Sequence, residues 1–276
     1  MTEDEIKALI NLLEDDDPEI SNHVHSKLID LGEEAVPFLE SQWEETLNLD
    51  YQAKIEELIH QIQFQKIQVE LSKWKEAGAQ DLLEALWLIS TYQYPDVSLE
   101  SIRQQIDQIY FSIWSQFKDD LQPMDQVKLL NHNLFKKERF GANTKNFHSP
   151  ANSMINRVLE SRKGNPLSLG AIYLLIAQRM ELPIYGVNLP NLFVLTYKVD
   201  QFQFYINAFN KGIIFTKEEI DQYLKQLDLK PQESYYQPCS NTEMIQRLLR
   251  NLMVAFKKTG ETEKLAEMEL LLRLLD

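Results

Sequence analysis

Cys239 is the only cysteine in 276 residues. A single thiol excludes an internal disulfide and any metal site built from several thiolates. Histidine is nearly as scarce: the set is His23, His25, His60, His132 and His148, and none follows position 148. Any imidazole base must therefore come from the first 150 residues. Positive charge is short too, with 28 Lys and Arg against 42 Asp and Glu and a formal net charge of −14. Sequence-independent phosphate binding needs clustered cations, so no nucleic-acid partner is expected. No apolar run approaches the roughly 18 residues of a bilayer span, so no membrane partner is expected either. The start, MTEDEIKALI, is acidic and amphipathic and lacks the basic and apolar regions of a secretory signal, which points to a cytoplasmic protein.

With 44% apolar and 25% charged residues the composition is that of a folded globular chain. From Ile6 to about Gln65 the apolar spacing is helical: Ile6, Leu9, Ile10 and Leu13 share one face, and Asp15 to Asp17 with Pro18 form a stop and a new start. A second helix is expected from Pro18 to Leu31 with Gly32 at its end, then a third with Val36, Phe38, Leu39 and Trp43 as its stripe. The string DDDPEISNHVHSKLIDLGEEAVPFLESQW resembles a HEAT-type helical repeat, which gives a first domain over 1–66. His23 and His25 point about 200° apart on such a helix, so no shared metal is expected.

Helix continues to about Phe140, with Ser98 as the N-cap of Leu99 to Phe117 and Pro123 opening a helix to Phe135. The aromatic group Trp74, Trp87, Tyr92, Tyr94, Trp114 and Phe117 reads as core packing, with Tyr92 and Tyr94 the most exposed. Strand patterns come late: Ile184 to Val187, Leu192 to Lys198, Gln203 to Ile206 and Gly212 to Phe215. The fold class is therefore α+β, mostly helical, with a small antiparallel sheet after the helices. KPQESYYQPCSN reads as a linker, and the tail over 240–276 resembles a tetratricopeptide-like helical hairpin. Arg247, Arg250, Lys257 and Lys258 read as a solvated surface balanced by nearby glutamates, and Cys239 as an incidental thiol.

The run FGANTKNFHSPANSMINRVLESRKGNPLSLGAIYLLIAQRMELPIYGV, Phe140 to Val187, holds a loop, a helix from Ser153 to Ser161, a Gly164-Asn165-Pro166 turn and a buried helix from Leu167 to Met180. It resembles the transglutaminase-like superfamily, in its SirB-like bacterial branch with helical flanks. The resemblance is carried by Asn152-Ser153, Val158-Leu159, Arg162-Lys163-Gly164 and Pro166-Leu167-Ser168-Leu169. It implies a papain-like core over 67–235 between helical hairpins. It also implies that Pro166 stands where the nucleophilic Cys would be, Leu192 in Pro190-Asn191-Leu192-Phe193 where the His would be, and Asn207 where the Asp would be. Thiol acyl transfer needs a thiolate, an imidazole and a group orienting that imidazole, so no catalytic residue is expected.

Ser168 with His148 is the outside candidate for a substitute nucleophile and base, against a reading of Ser168 as a first-turn cap. Candidate binding residues are Asn165, Ser168, Asn188, Asn191 and Asn207, around the vestigial cleft. No metal and no cofactor is expected. A protein or peptide partner is, since helical hairpins and a former cleft both offer grooves.

Overall fold

The computed structural model of the chain describes residues 1–15, 17–118 and 120–276, so Asp16 in the expected Asp15 to Asp17 stop lies outside the described residues. Two units follow, Met1–Glu70 and Leu71–Asp276.

In the first, Thr2 and Glu5 cap each other to start α1 (Glu3–Asn11), and Asp17 with Pro18 starts α2 (Pro18–Leu31). Gly32, at φ 62° and ψ −137°, ends α2 in a conformation that glycine adopts without a Cβ clash. α3 (Val36–Glu45) and the opening turns of α4 (Leu49–Glu76) complete the unit. Ile6, Ile10, Leu28, Leu39, Ile55 and Leu58 belong to its core, and the Tyr51 hydroxyl donates to the Ile10 carbonyl at 2.8 Å. Within α3 the expected stripe of Val36, Phe38 and Leu39 packs on this core, but Trp43 lies at the surface and donates to Glu56 instead.

The second unit is α+β. It runs through α5 (Leu82–Thr91), α6 (Leu99–Trp114) and α7 (Pro123–Asn131), then the two-residue β1 (Gly141–Ala142), α8 (Ile155–Ser161) and β2 (Lys163–Gly164). α9 (Pro166–Arg179) follows, and every residue from Leu167 to Ala177 is buried. A helix apolar on all sides has to be surrounded. α6, α8 and the sheet surround it. That sheet is β3 (Ile184–Leu189), β4 (Leu192–Val199), β5 (Phe202–Asn207) and β6 (Ile213–Phe215), antiparallel in sequence order. α10 (Lys217–Gln226), α11 (Asn241–Thr259) and α12 (Thr262–Leu275) close the chain.

Each sheet face has its own neighbour because strand side chains alternate. Phe193 and Leu195 face α9, close to Gly170, while Val187, Val194 and Tyr205 pack with Ile220 and Leu224 of α10. The phenyl ring of Phe193 fills the gap between α9 and β3. A Cβ on Gly170 would stand 2.8 Å from that ring, and one on Gly186 would stand 2.6 Å from it.

Three expectations change. Tyr92 is not an exposed aromatic: it is 8% exposed and its hydroxyl binds Glu267 of α12, whereas Trp114, expected in the core, is 58% exposed at the end of α6. A parallel ladder joins Gly141 to Lys163 and Ala142 to Gly164, in a region read as helix and loop. The expected linker is docked: the Tyr236 carbonyl accepts from Gln203 and Tyr205, the Tyr236 hydroxyl binds Asp221, and the Cys239 amide donates to the Gly186 carbonyl at 2.8 Å. Apolar rings inside that polar segment give it something to bury.

Two predictions follow from this packing. Gly170→Ala forces the Phe193 ring to move, so its denaturant midpoint should fall by the equivalent of about 1–3 kcal/mol at unchanged m; a wild-type midpoint would show that helix and sheet can separate freely. Burial first, then Glu243, push the Cys239 thiol up from its usual 9.0 to about 12. The neutral thiol's contribution to stability is therefore intact below about pH 9 and lost as pH rises toward 12. At pH 8 an aromatic disulfide reagent should modify native protein on the order of a hundredfold more slowly than denatured protein. Equal rates would contradict the burial.

Candidate functional site

The quoted motif is a local structure before it is anything else. Asn165 caps α9: its side-chain oxygen accepts from the Ser168 amide at 2.9 Å, and its own amide donates to Ser168 Oγ at 3.0 Å. This reciprocal box satisfies the helix start from both sides. Asn165 Nδ2 donates to Ser153 Oγ at 2.9 Å, which ties the helix start to the preceding loop. Asn152, also buried, accepts from Asn143 at 2.8 Å and donates to the carbonyls of Asn146 and Phe147, so it holds the loop that carries His148. Gly164 has no room for a side chain, because a Cβ there would stand 2.4 Å from Ser168 Oγ.

At this capped end of α9 lies a cavity of about 660 Å³. One wall is the loop with Phe147, His148 and Ser149, together with Ser153. The floor is Asn165, Pro166 and Leu167. A second wall is the β3–β4 hairpin: Asn188, Pro190, Asn191 and Phe193. Asn191 takes φ 58° at the tip, a left-handed conformation that asparagine tolerates better than most residues. The third wall is α11, with Arg247, Arg250, Asn251 and Val254, and Tyr235 lies beside it.

His148, Asn165, Pro166, Asn188 and Asn191 are thus brought together. Ser168 is not among the lining residues. It is 2% exposed, and its hydroxyl both accepts from the Asn165 amide and donates to the Asn165 carbonyl. No Ser168–His148 bond occurs among the described residues, so the pairing considered from sequence has no geometry behind it.

The three positions assigned to the family's triad do not converge either. Pro166 borders the cavity, but Leu192 packs with the Val187, Ile220 and Leu224 cluster on the α10 face of the sheet. Asn207, in register beyond Tyr205 and opposite Ile213, belongs to that same face and caps the next turn by accepting from the Asn210 amide at 3.1 Å. The cause is strand alternation: Phe193, one residue after Leu192, is the side chain that faces the cavity.

Of the residues expected on a solvated α11 surface, Arg250, Lys257 and Lys258 are exposed, whereas Arg247 is partly buried and bonded to the hairpin. Arg247, Arg250, Asn251 and Val254 stand at i, i+3, i+4 and i+7, one helical face, and that spacing was the available signal. Arg247 Nη1 donates to the Leu189 carbonyl at 2.7 Å and reaches Asn188 Oδ1 at 3.4 Å. The Tyr223 hydroxyl, on α10, donates to the Pro190 carbonyl at 2.8 Å. Helices on two sides thereby fix the hairpin tip. Burial draws the Arg247 guanidinium below its ordinary value and lifts the Tyr223 phenol above its own.

No Asp, Glu or Cys lines the cavity among the described residues, although the chain has 42 acidic residues. Nor does any group of three or more His, Cys, Asp or Glu suited to a metal occur among them. The site can donate hydrogen bonds and hold negative charge.

The model of the transglutaminase-like superfamily matches residues 100–250, from α6 into α11. Among curated proteins the chain is similar to a UPF0162 protein of Xylella fastidiosa, 26% identical over 202 residues, covering 67% of this chain and 68% of that one. A UPF0162 protein of Pasteurella multocida is 31% identical over 109 residues, 40% of this chain and 41% of its own. Human F-box only protein 21 is 25% identical over 260 residues, 83% of this chain and 41% of that protein. No solved structure matches. The matched span takes in more than half the chain, including α9, the whole sheet, two walls of the cavity and the start of the third, and the chain belongs to the transglutaminase-like superfamily.

Proposed function

We propose that this chain is a noncatalytic transglutaminase-like protein whose cavity holds a segment of a protein or peptide partner. The observation that carries the reading is the chemistry of the α9 end. Its proline offers neither nucleophile nor amide hydrogen, and its serine hydroxyl is committed to the helix cap. The walls supply amides, two guanidinium groups and apolar surface in a concave space of ligand-binding size. The one imidazole at the cavity, His148, is surface-exposed and without a nucleophile bonded to it among the described residues.

The finer parts of the reading rest on the sequence: a SirB-like bacterial branch, a HEAT-like repeat over 1–66, a core over 67–235, a tetratricopeptide-like hairpin over 240–276, and a cytoplasmic adaptor or regulator. Capped helices with one buried stripe each speak for the helical flanks. No described helix is long and apolar enough to cross a membrane.

Labelling with a fluorophosphonate and with a chloroacetamide probe separates this reading from a serine-based hydrolase. Native protein should remain unlabelled, and Ser168→Ala should lose about 1–3 kcal/mol of stability, since the Asn165 amide would be left buried without an acceptor. Fluorophosphonate labelling of the native chain that disappears in Ser168→Ala would establish a nucleophile and end the noncatalytic reading.

A further inference from the structure

Several arginines of this acidic chain are ion-paired. Arg162 pairs with Glu138, Arg103 with Asp81, and Arg179 with Asp107. Arg139, Arg247, Arg250 and Arg273 have no carboxylate partner among the described residues, and of these Arg247 and Arg250 line the cavity. These two stand one helical turn apart on α11, so their guanidinium groups reach the same space. Arg247 is also aimed. Its Nη1 is engaged by the Leu189 carbonyl and Asn188, which leaves Nε and Nη2 without a protein partner among the described residues. That edge of a guanidinium is one that grips a carboxylate through two parallel hydrogen bonds.

The rest of the cavity indicates what the carboxylate is attached to. At about 660 Å³ the space is far larger than one anion. Asn188, Asn191 and Asn251 offer amides that match a peptide backbone, and Phe147, Leu167 and Val254 offer apolar contact for side chains. The chain's net charge of −14 opposes an acidic stretch more than a single negative charge carried at a chain end.

We infer that the cavity captures the free C-terminal carboxylate of a partner peptide, with Arg247 and Arg250 as its anion-binding pair and the asparagine wall reading the residues before it. This rests on the peptide-binding reading above and names the ligand end that would enter.

The test uses the full chain and an arrayed library of N-acetylated pentapeptides synthesised as free acids and as carboxamides, with carboxamides ending in Glu as a third set. The best binders are re-measured in solution by fluorescence polarisation. Free acids should bind about tenfold or more tighter than their carboxamides, the strength of a charge-assisted pair. Arg250→Gln should remove most of that preference, lowering the affinity for free acids about tenfold more than the affinity for carboxamides. Arg247→Gln should do the same, but it also releases the Leu189 carbonyl, so its thermal melt is measured alongside. Arg250 has no side-chain bond to protein among the described residues and carries the test if Arg247→Gln unfolds.

Equal affinity for acids and carboxamides, unmoved by Arg250→Gln, would overturn the carboxylate assignment and leave peptide binding standing. Carboxamides ending in Glu that bind as well as free acids would overturn the assignment to a chain end. Binding by none of the three sets would remove both the inference and the peptide reading beneath it.

Discussion

The cavity depends on how closely α9 approaches the sheet, and that distance is set by one aromatic ring. Phe193, fully buried, fills the space where Gly170 of α9 and Gly186 of β3 carry no Cβ. With a side chain at either glycine the helix and sheet would have to part, and the end of α9 would move relative to the hairpin tip. Protein interiors pack too densely to absorb such a change quietly. Phe193 also lines the cavity, so the residue that spaces the core is part of the site's wall.

A second constraint gives the motif a structural role of its own. A helix beginning at a proline in a buried position still has amides to satisfy, and the Asn165–Ser168 box satisfies them from within. Asn152 and Ser153 extend the network to the loop holding His148. The polar atoms that an acyl-transfer site would turn toward a substrate are here turned toward each other. Asn152, Ser153, Gly164, Asn165 and Ser168 therefore each have a structural task.

Much of this fold can be read from the chain alone. The strands beginning at Ile184 and Leu192, the Ser98 cap and the helix opened by Pro166 all lie within a residue or two of their expected places, because alternation and caps are local signals. The two-residue β1–β2 ladder is not legible, since two residues carry no period. Trp114 and Tyr92 exchange their expected environments because helical spacing names a face without saying what covers it, and Tyr92 is covered by α12, about 175 residues later in the chain. At the site, Asn165, Asn188 and Asn191 are legible from their turns. Leu192 misleads because resemblance aligns positions, while strand parity decides direction. Arg247 looks solvated because its partner, the hairpin end at Leu189, lies 58 residues away in sequence.

Arg247 and Arg250 also show how an acidic protein can present a cationic site. Beyond a Debye length, about 8 Å at physiological ionic strength, screening flattens the field of individual groups and a partner meets a surface dominated by carboxylates. Inside that distance, and between low-dielectric walls, the nearest charges decide, and at this cavity they are two guanidinium groups with no acid among the described lining residues. Selection then works by length scale: broad negative charge disfavours acidic surfaces as a whole, while a single anion small enough to enter meets attraction. The Leu189 carbonyl and Asn188 hold Arg247 in place beforehand, so less side-chain freedom remains to be lost when an anion arrives.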